Sequence, residues 1–147
     1  MQIDTAVVLA AGEGTRLRPL TRNRPKPMLP AANRPILEHV FDALVEAGIE
    51  QLVAVVGFKR DRVQDHFGTT YRGVPIAYVV QDKQLGSGHA LLQARHAVDG
   101  PVLVLNGDRL IDPGTVEAVA NSYAETGDTS IAVVERQDTH RSGAVEL

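Results

Sequence analysis

Short, unbroken apolar runs recur along this chain and alternate with segments of helical periodicity. Thr5–Ala10 and Gln51–Val56 contain no charged residue, which is typical of strands that are buried on both faces of a sheet. Val74–Val80 and Val102–Leu105 are further runs of the same kind. Strands that alternate with helices form a parallel sheet covered by those helices. The pattern therefore predicts an α/β domain with a mostly parallel sheet.

The segments between these runs have the features of helices. Pro35 can open a helix, and apolar side chains then recur on one face as far as Gly48, which is a stop signal. Arg60–Phe67 predicts a short helix and Gly88–Val98 a longer one. Asp112–Pro113 has the residue types of an N-cap and a first helical position, so a further helix is expected there.

A long loop over residues 15–35 and the ends of the strands are where we expect function. Loops of that length in a compact domain tend to be functional. Ligands of parallel α/β folds bind beyond the carboxyl ends of the strands, and glycine-bearing breaks follow Leu9 and Leu105. Ser130–Val134 predicts a fifth strand. Binding is therefore expected at the two breaks and the loop.

The long loop also carries a cluster of positive charge. Residues 14–37 contain six Arg or Lys and no acid, so a net charge of −3 leaves −9 on the rest of the chain. A basic segment in an acidic protein is a candidate anion site, although a solvated charged face is the commoner origin of such a run. The acidic remainder and the 4% aromatic content argue against nucleic acid as the anion.

Composition excludes several other classes of protein. The chain has no Cys, so disulfide frameworks, thiolate zinc sites and cysteine nucleophiles are ruled out. Its 147 residues suit a single domain. No apolar run reaches the ~18 residues of a membrane helix, and the N-terminus lacks the basic region of a signal peptide. We expect a cytoplasmic protein without a membrane partner.

The break after the first strand contains Gly12, Gly14, Thr15 and Arg16. Backbone N–H groups of a glycine turn can point at a phosphate, and an arginine adds a fork of donors. The segment lacks the third glycine of a dinucleotide fingerprint and the Gly-Lys-Ser/Thr of a P-loop. A purely structural turn is equally compatible with the glycines, but the basic loop that follows favours a triphosphate.

Two other breaks carry polar groups. Asp108 follows a strand, where its carboxylate can join substrate phosphates in holding Mg²⁺ or simply form a turn. Gln81 carries an amide that can pair with a base edge, and Gly86 allows a planar ligand to approach closely. A glycine-rich helix entry capped by Ser87 is the alternative. The five histidines show no metal spacing.

In combination these segments resemble the sugar-nucleotide pyrophosphorylases, the nucleotidylyltransferases that act on sugar 1-phosphates. The resemblance is carried by residues 9–21 (LAAGEGTRLRPLT), 24–30 (RPKPMLP), 81–90 (QDKQLGSGHA) and 106–108 (NGD). This ordered set is specific and spans essentially the whole chain. It implies a Rossmann-like, three-layer α/β/α fold of the nucleotide-diphospho-sugar transferase type.

The resemblance also implies an activity and a set of site residues. The activity is Mg²⁺-dependent transfer of a nucleotidyl group from UTP or dTTP to a sugar 1-phosphate, giving a nucleotide sugar and pyrophosphate. Arg16 and Lys26 would be the catalytic cations, Asp108 the magnesium ligand and Gly143 a sugar-binding residue. The nucleotide would be bound by Leu9, Ala11, Gly12, Gly14, Thr15, Gln81, Gly86 and Ser87.

The chain departs from this family at its C-terminus. Catalytic domains of the family continue beyond the equivalent of Leu147, whereas residues 142–147 predict a strand that stops midway. We therefore expect residues 1–147 to be the nucleotide-binding part of a C-terminally truncated domain whose sugar-binding remainder is absent. The alternative is a catalytically incompetent nucleotide-binding or regulatory module. The sequence leaves the sugar open and allows a homo-oligomer.

Overall fold

The computed structural model describes residues 3–12, 19–21 and 23–132. The strands are β1 (Thr5–Leu9), β2 (Pro30–Ala31), β3 (Arg34–Pro35), β4 (Gln51–Val56), β5 (Thr70–Tyr71), β6 (Val74–Val80) and β7 (Leu103–Asn106). The helices are α1 (Ile36–Glu46), α2 (Arg60–Phe67), α3 (Ser87–Gln93) and α4 (Pro113–Thr126). None of the helices described is long and apolar enough to cross a membrane.

Five strands form one sheet in the order β5-β6-β4-β1-β7. β1 pairs in parallel with β4 and β7, β4 pairs in parallel with β6, and only β5 runs antiparallel to its neighbour. The prediction of a mostly parallel sheet is confirmed. Because β1 lies between β4 and β7, the breaks that follow these three strands meet at one edge of the sheet.

Helices cover both faces of this sheet, as the three-layer prediction required. Alternate side chains of a strand point to opposite faces, so Val8 packs in the cluster that contains Phe41 of α1, while Val7 packs with Ala90 of α3. Phe41 is fully buried, and burial of a side chain of that size contributes about 1.5–3 kcal/mol. The apolar periodicity of α1 is thus explained by its position on the sheet.

The helix predicted over Gly88–Val98 is shorter than expected. It begins at Ser87 and ends at Gln93, because Ala94 and Ala97 donate to the third residue before them and continue the chain as turns. The prediction that the first helix begins at Pro35 is wrong by one residue. Pro35 is extended and pairs with Pro30 in the β2–β3 ladder, so α1 starts at Ile36.

Three other expectations are changed or lie outside the described residues. The long loop contains a 3-10 turn over Lys26–Met28 and the β2–β3 ladder. Residues 130–132 form no strand, and the Ser130 hydroxyl donates to the Ser122 hydroxyl of α4. The rest of that predicted strand, and the strand predicted over residues 142–147, lie outside the described residues.

The helix predicted at Asp112 is confirmed. The Asp112 carboxylate accepts hydrogen bonds from the Thr115 N–H at 2.9 Å and from the Thr115 hydroxyl at 2.8 Å. The first of these bonds satisfies a backbone N–H that lacks a partner in the first turn of the helix. At the other end Gly127 adopts the left-handed conformation (φ 74°) that ends many helices.

Candidate functional site

The ends of β1 and β7 are joined directly. The Gly107 N–H donates to the Leu9 carbonyl at 2.9 Å, which continues the pairing of these strands by one residue. A Cβ atom at Gly107 would lie 3.0 Å from a Leu37 methyl and 3.1 Å from a Val8 methyl. The glycine is therefore needed for the chain to pass this close to β1 and to bring Asp108 to the end of the sheet.

A charged pair forms at this point. The Lys26 ammonium lies 3.0 Å from an Asp108 carboxylate oxygen, and their side chains are 36% and 27% exposed. The 3-10 turn positions the lysine, since the Met28 N–H donates to Pro25 at 2.9 Å and Pro27 is buried beneath the turn. The backbone holds both residues in place, and their charged groups remain accessible to a ligand.

These groups line a cavity of about 180 Å³ at the carboxyl ends of the strands. Every predicted site residue that the structure describes lies in its wall, namely Leu9, Ala11, Gly12, Lys26, Gln81, Gly86, Ser87 and Asp108. Pro27, Gln84, Ala90 and Asn106 also line it and were not predicted. The predicted residues Gly14, Thr15, Arg16 and Gly143 lie outside the described residues.

Gln81 forms part of the cavity wall and is only 3% exposed. Its amide nitrogen lies 3.0 Å from the His89 ring nitrogen Nδ1 and 3.4 Å from the Gly86 carbonyl. A buried amide needs such partners, because an unpaired one costs about 1–3 kcal/mol. The Gln81 side chain is therefore held in one orientation before any ligand binds.

Gln84 and Gly57 support the same wall, and neither was predicted. The Gln84 amide donates to the Ala11 carbonyl at 2.7 Å, which ties the loop after β6 to the end of β1. A Cβ atom at Gly57 would lie 2.8 Å from the Gln81 carbonyl and 3.2 Å from the Ala11 Cβ. The available signals were the position of Gln84 within the 81–90 segment and the glycine directly after β4.

The residues of the cavity can be tested against a magnesium ion. Asp108 is the single carboxylate among the described lining residues, and Asn106 adds an amide oxygen. Across residues 3–12, 19–21 and 23–132 no three His, Asp or Glu side chains come together to hold a metal. Mg²⁺ is commonly held by one or two carboxylates together with water and substrate phosphates. The donor set thus fits an ion that arrives with phosphate ligands.

A second polar cluster fixes the β2–β3 ladder. Arg34 donates to Asp42 and lies 3.2 Å from Glu38, and these hydrogen bonds raise the pKa of its guanidinium. Burial of the Asp42 carboxyl opposes its ionisation, but hydrogen bonds from Tyr71 and Arg34 outweigh burial, so the pKa of Asp42 lies below its ordinary value. Burial and the bond to Asp42 raise the pKa of Tyr71 to about 12.

Similarity to known proteins indicates the family of this chain. Residues 5–147 match the family model described as nucleotidyl transferase. The UTP–glucose-1-phosphate uridylyltransferase AglF of Haloferax volcanii is 43% identical over 88% of this chain and 54% of its own length. The D-glycero-alpha-D-manno-heptose 1-phosphate guanylyltransferase of Aneurinibacillus thermoaerophilus is 31% identical over 95% of this chain and 61% of its own.

A solved structure shares both the fold and part of the sequence. The crystal structure of UDP-glucose pyrophosphorylase complexed with UDP-glucose has a TM-score of 0.74 and 26% identity, covering 85% of this chain and 55% of that one. The chain therefore spans about half the length of the proteins that it matches here. With the family model matched from Thr5 to Leu147, this chain belongs to the nucleotidyl transferase family.

Proposed function

We propose that residues 1–147 are the nucleotide-binding part of a sugar-1-phosphate nucleotidylyltransferase. The reaction transfers a nucleotidyl group from UTP or dTTP to a sugar 1-phosphate and releases pyrophosphate. The observation that carries the proposal is the Lys26–Asp108 pair at 3.0 Å, which lies in the wall of the cavity at the end of β1 and β7. The activities named for the relatives support the choice of reaction.

The chemistry needs charge neutralisation more than a base. An oxygen of the sugar 1-phosphate attacks the α-phosphorus of the triphosphate, a new P–O bond forms, and the bond to the β-phosphate breaks with its electron pair leaving on pyrophosphate. A phosphate monoester has a second pKa of about 6, so the nucleophile is already a dianion at neutral pH. Two anions must therefore be held together in line.

Lys26 and Arg16 are proposed to supply that neutralisation. The Lys26 ammonium, held by its 3-10 turn, would contact the phosphates at the reacting centre, and Arg16 would bind the departing pyrophosphate. Gly12, Gly14 and Thr15 would offer backbone N–H groups to the triphosphate. When a triphosphate enters, its oxygens would compete with Asp108 for the lysine, since the pair is open to ligands.

A bound Mg²⁺ would neutralise phosphate charge and is proposed to be held by Asp108. In the pair described, Asp108 already carries its charge opposite Lys26, so the carboxylate is positioned to exchange one cation for another. No other described residue of the cavity wall carries a negative charge. Gly143, which lies outside the described residues, is proposed to bind the sugar.

The base is proposed to lie between the end of β1 and the loop after β6. Leu9 and Ala11 would contact one face, while Gly86 and Ser87 would border the other. The described side-chain amides in the cavity wall are those of Gln81, Gln84 and Asn106. With the Gln81 nitrogen directed to His89 and Gly86, its oxygen is left to accept from a base N–H, as in uracil or thymine.

The test measures binding and turnover separately. Calorimetric titration of the 147-residue chain with UTP, dTTP, CTP and GTP, each with Mg²⁺, is expected to show tightest binding of UTP or dTTP. Pyrophosphate release from UTP plus glucose 1-phosphate, assayed on the protein at the full length of its relatives, then reports the reaction. Binding without release would favour the nucleotide-binding module, whose motivating observation is that the chain spans about half of its relatives. No binding of any triphosphate would refute both functions.

A further inference from the structure

A second, larger cavity opens elsewhere on the described surface. Its volume is about 560 Å³, and it lies between the loop before α1 and the exposed side of α2. It shares no described lining residue with the cavity that holds Lys26 and Asp108. Ligand-binding clefts commonly measure about 300–1,000 Å³. The cavity is therefore large enough for a small organic ligand.

Basic side chains dominate its polar lining. Arg24 reaches it from the loop, and Arg62 and His66 reach it from α2. No acidic residue is among its described lining residues. Arg62 and His66 are four positions apart on α2 and so lie on one side of the helix. An anion in the cavity would thus be contacted by Arg24 from the loop and Arg62 from α2, whereas the His66 ring lies 3.6 Å from the Glu38 carboxylate.

The two arginines are not occupied by the fold. Within the described residues, the side chains of Arg24 and Arg62 make no hydrogen bond or ion pair. Arg34 and Arg72, by contrast, each meet Asp42 and a glutamate. Arg24 and Arg62 are therefore not neutralised by an acid within the described residues, and their donors are available to a ligand.

One wall of the cavity is formed in advance. Asn33, at the tip of the β2–β3 ladder, lines it, and that ladder is held by the Arg34 cluster and by a 2.7 Å contact between His39 Nε2 and the Ala31 carbonyl. The Ile36 N–H also donates to Leu29 at 3.0 Å. Because this wall is already ordered, a ligand would lose little affinity to ordering it.

We propose that this cavity is a binding site for a small phosphorylated ligand, distinct from the nucleotide site. The planar guanidinium of arginine matches phosphate oxygens with two parallel hydrogen bonds. Asn23 and Asn33 offer amide donors for further oxygens, and Met28 and the neighbouring prolines provide an apolar floor. A phosphate bound between Arg24 and Arg62 leaves room for the organic part of a phosphomonoester over that floor.

The test uses inorganic phosphate and glucose 6-phosphate as probes. Chain with 15N-labelled arginine is titrated by NMR at constant ionic strength, with UTP and Mg²⁺ present to occupy the other cavity. The Nε–H signals of Arg24 and Arg62 are expected to shift with saturation. Arg24→Gln and Arg62→Gln should each weaken binding about tenfold, which is the loss of one charge-assisted hydrogen bond. Glucose, which lacks the phosphate, should cause no shift.

Arg60→Gln is the matched control, because Arg60 is an exposed residue of the same helix that does not line the cavity. It should leave the dissociation constants unchanged within about twofold. Shifts that rise linearly without saturation, or an equal loss in Arg60→Gln, would refute a specific site. Loss of phosphate binding in Lys26→Met but not in Arg24→Gln or Arg62→Gln would also refute it, by assigning the anion to the nucleotide cavity.

Discussion

The Lys26 ammonium and the Asp108 carboxylate meet at 3.0 Å across the cavity at the end of β1. They come from the loop before α1 and from the break after β7, so the pair joins two distant parts of the chain. Partly exposed ion pairs contribute about 0–1 kcal/mol to stability. The pair therefore adds little to folding, and its charges are available for phosphates and a cation.

Replacing Lys26 tests its proposed role. Lys26→Met removes the charge but keeps a long apolar stem, so the free energy of unfolding should change by no more than about 1 kcal/mol. In the protein at the full length of its relatives, pyrophosphate release should fall by about 10²–10³, the cost of losing one preorganised charge. Urea unfolding and a pyrophosphate assay measure the two effects. Lys59→Met, at an exposed lysine outside the cavity, is the control, and near-normal turnover in Lys26→Met would reject the role.

Gln81 is expected to act on the base alone. Gln81→Leu removes the amide from the wall, so UTP should bind about tenfold more weakly while pyrophosphate binds as before. Calorimetric titration of both ligands gives the comparison. Gln51→Leu, at an exposed glutamine that starts β4, should leave both affinities unchanged. Equal weakening of UTP and pyrophosphate would show that Gln81 supports the whole site rather than the base.

Gly57 is expected to be needed for the shape of the site. In Gly57→Ala the new Cβ would lie 2.8 Å from the Gln81 carbonyl, so backbone must shift at a cost of about 1–3 kcal/mol. Urea unfolding should show that loss, and UTP affinity should fall with it. Gly88→Ala places its Cβ in open space within α3 and should stabilise the chain by up to about 1 kcal/mol. An unchanged Gly57→Ala variant would contradict the predicted clash.

Tyr71 makes stability depend on alkaline pH. Its hydroxyl donates to Asp42 at 2.6 Å, and burial together with that bond raises the pKa of Tyr71 from 10.0 to about 12. A folded-state pKa above the unfolded value gives stabilisation that is complete below pH 10.0 and is lost as the pH rises towards about 12. Urea unfolding from pH 8 to 12 should show this decline.

The Tyr71→Phe variant separates that decline from other titrations. Tyr71→Phe should have a shallower decline and lose about 1 kcal/mol at neutral pH, the contribution of one hydrogen bond. Tyr78 contributes to the alkaline loss of stability in wild type and in Tyr71→Phe alike, because burial also raises the pKa of Tyr78 to about 12. A Tyr71→Phe curve parallel to wild type would refute the assignment.

The secondary structure followed from local patterns, with identifiable exceptions. Apolar runs and glycine breaks depend on neighbouring residues only, so β4, β6 and α2 begin and end where they were predicted. The early end of α3 at Gln93 and the extended Pro35 were missed. Both depend on hydrogen bonds that a periodic pattern cannot encode, in the turns after Gln93 and from the Ile36 N–H to the Leu29 carbonyl beside the Pro30–Pro35 pair.

The functional site, like the secondary structure, could be predicted from the sequence only in part. By itself the sequence determined the identity of the groups: glycine turns, Lys26, Gln81 and Asp108, each within a recognisable segment. Only the tertiary structure decided that Lys26 pairs with Asp108 and that Gly57 packs beneath Gln81. Those contacts join residues far apart in the chain: Asp108 follows β7, which lies beside β1, and Gly57 and Gln81 follow the paired strands β4 and β6. Strand order sets such distances, and spacing along the sequence does not contain it.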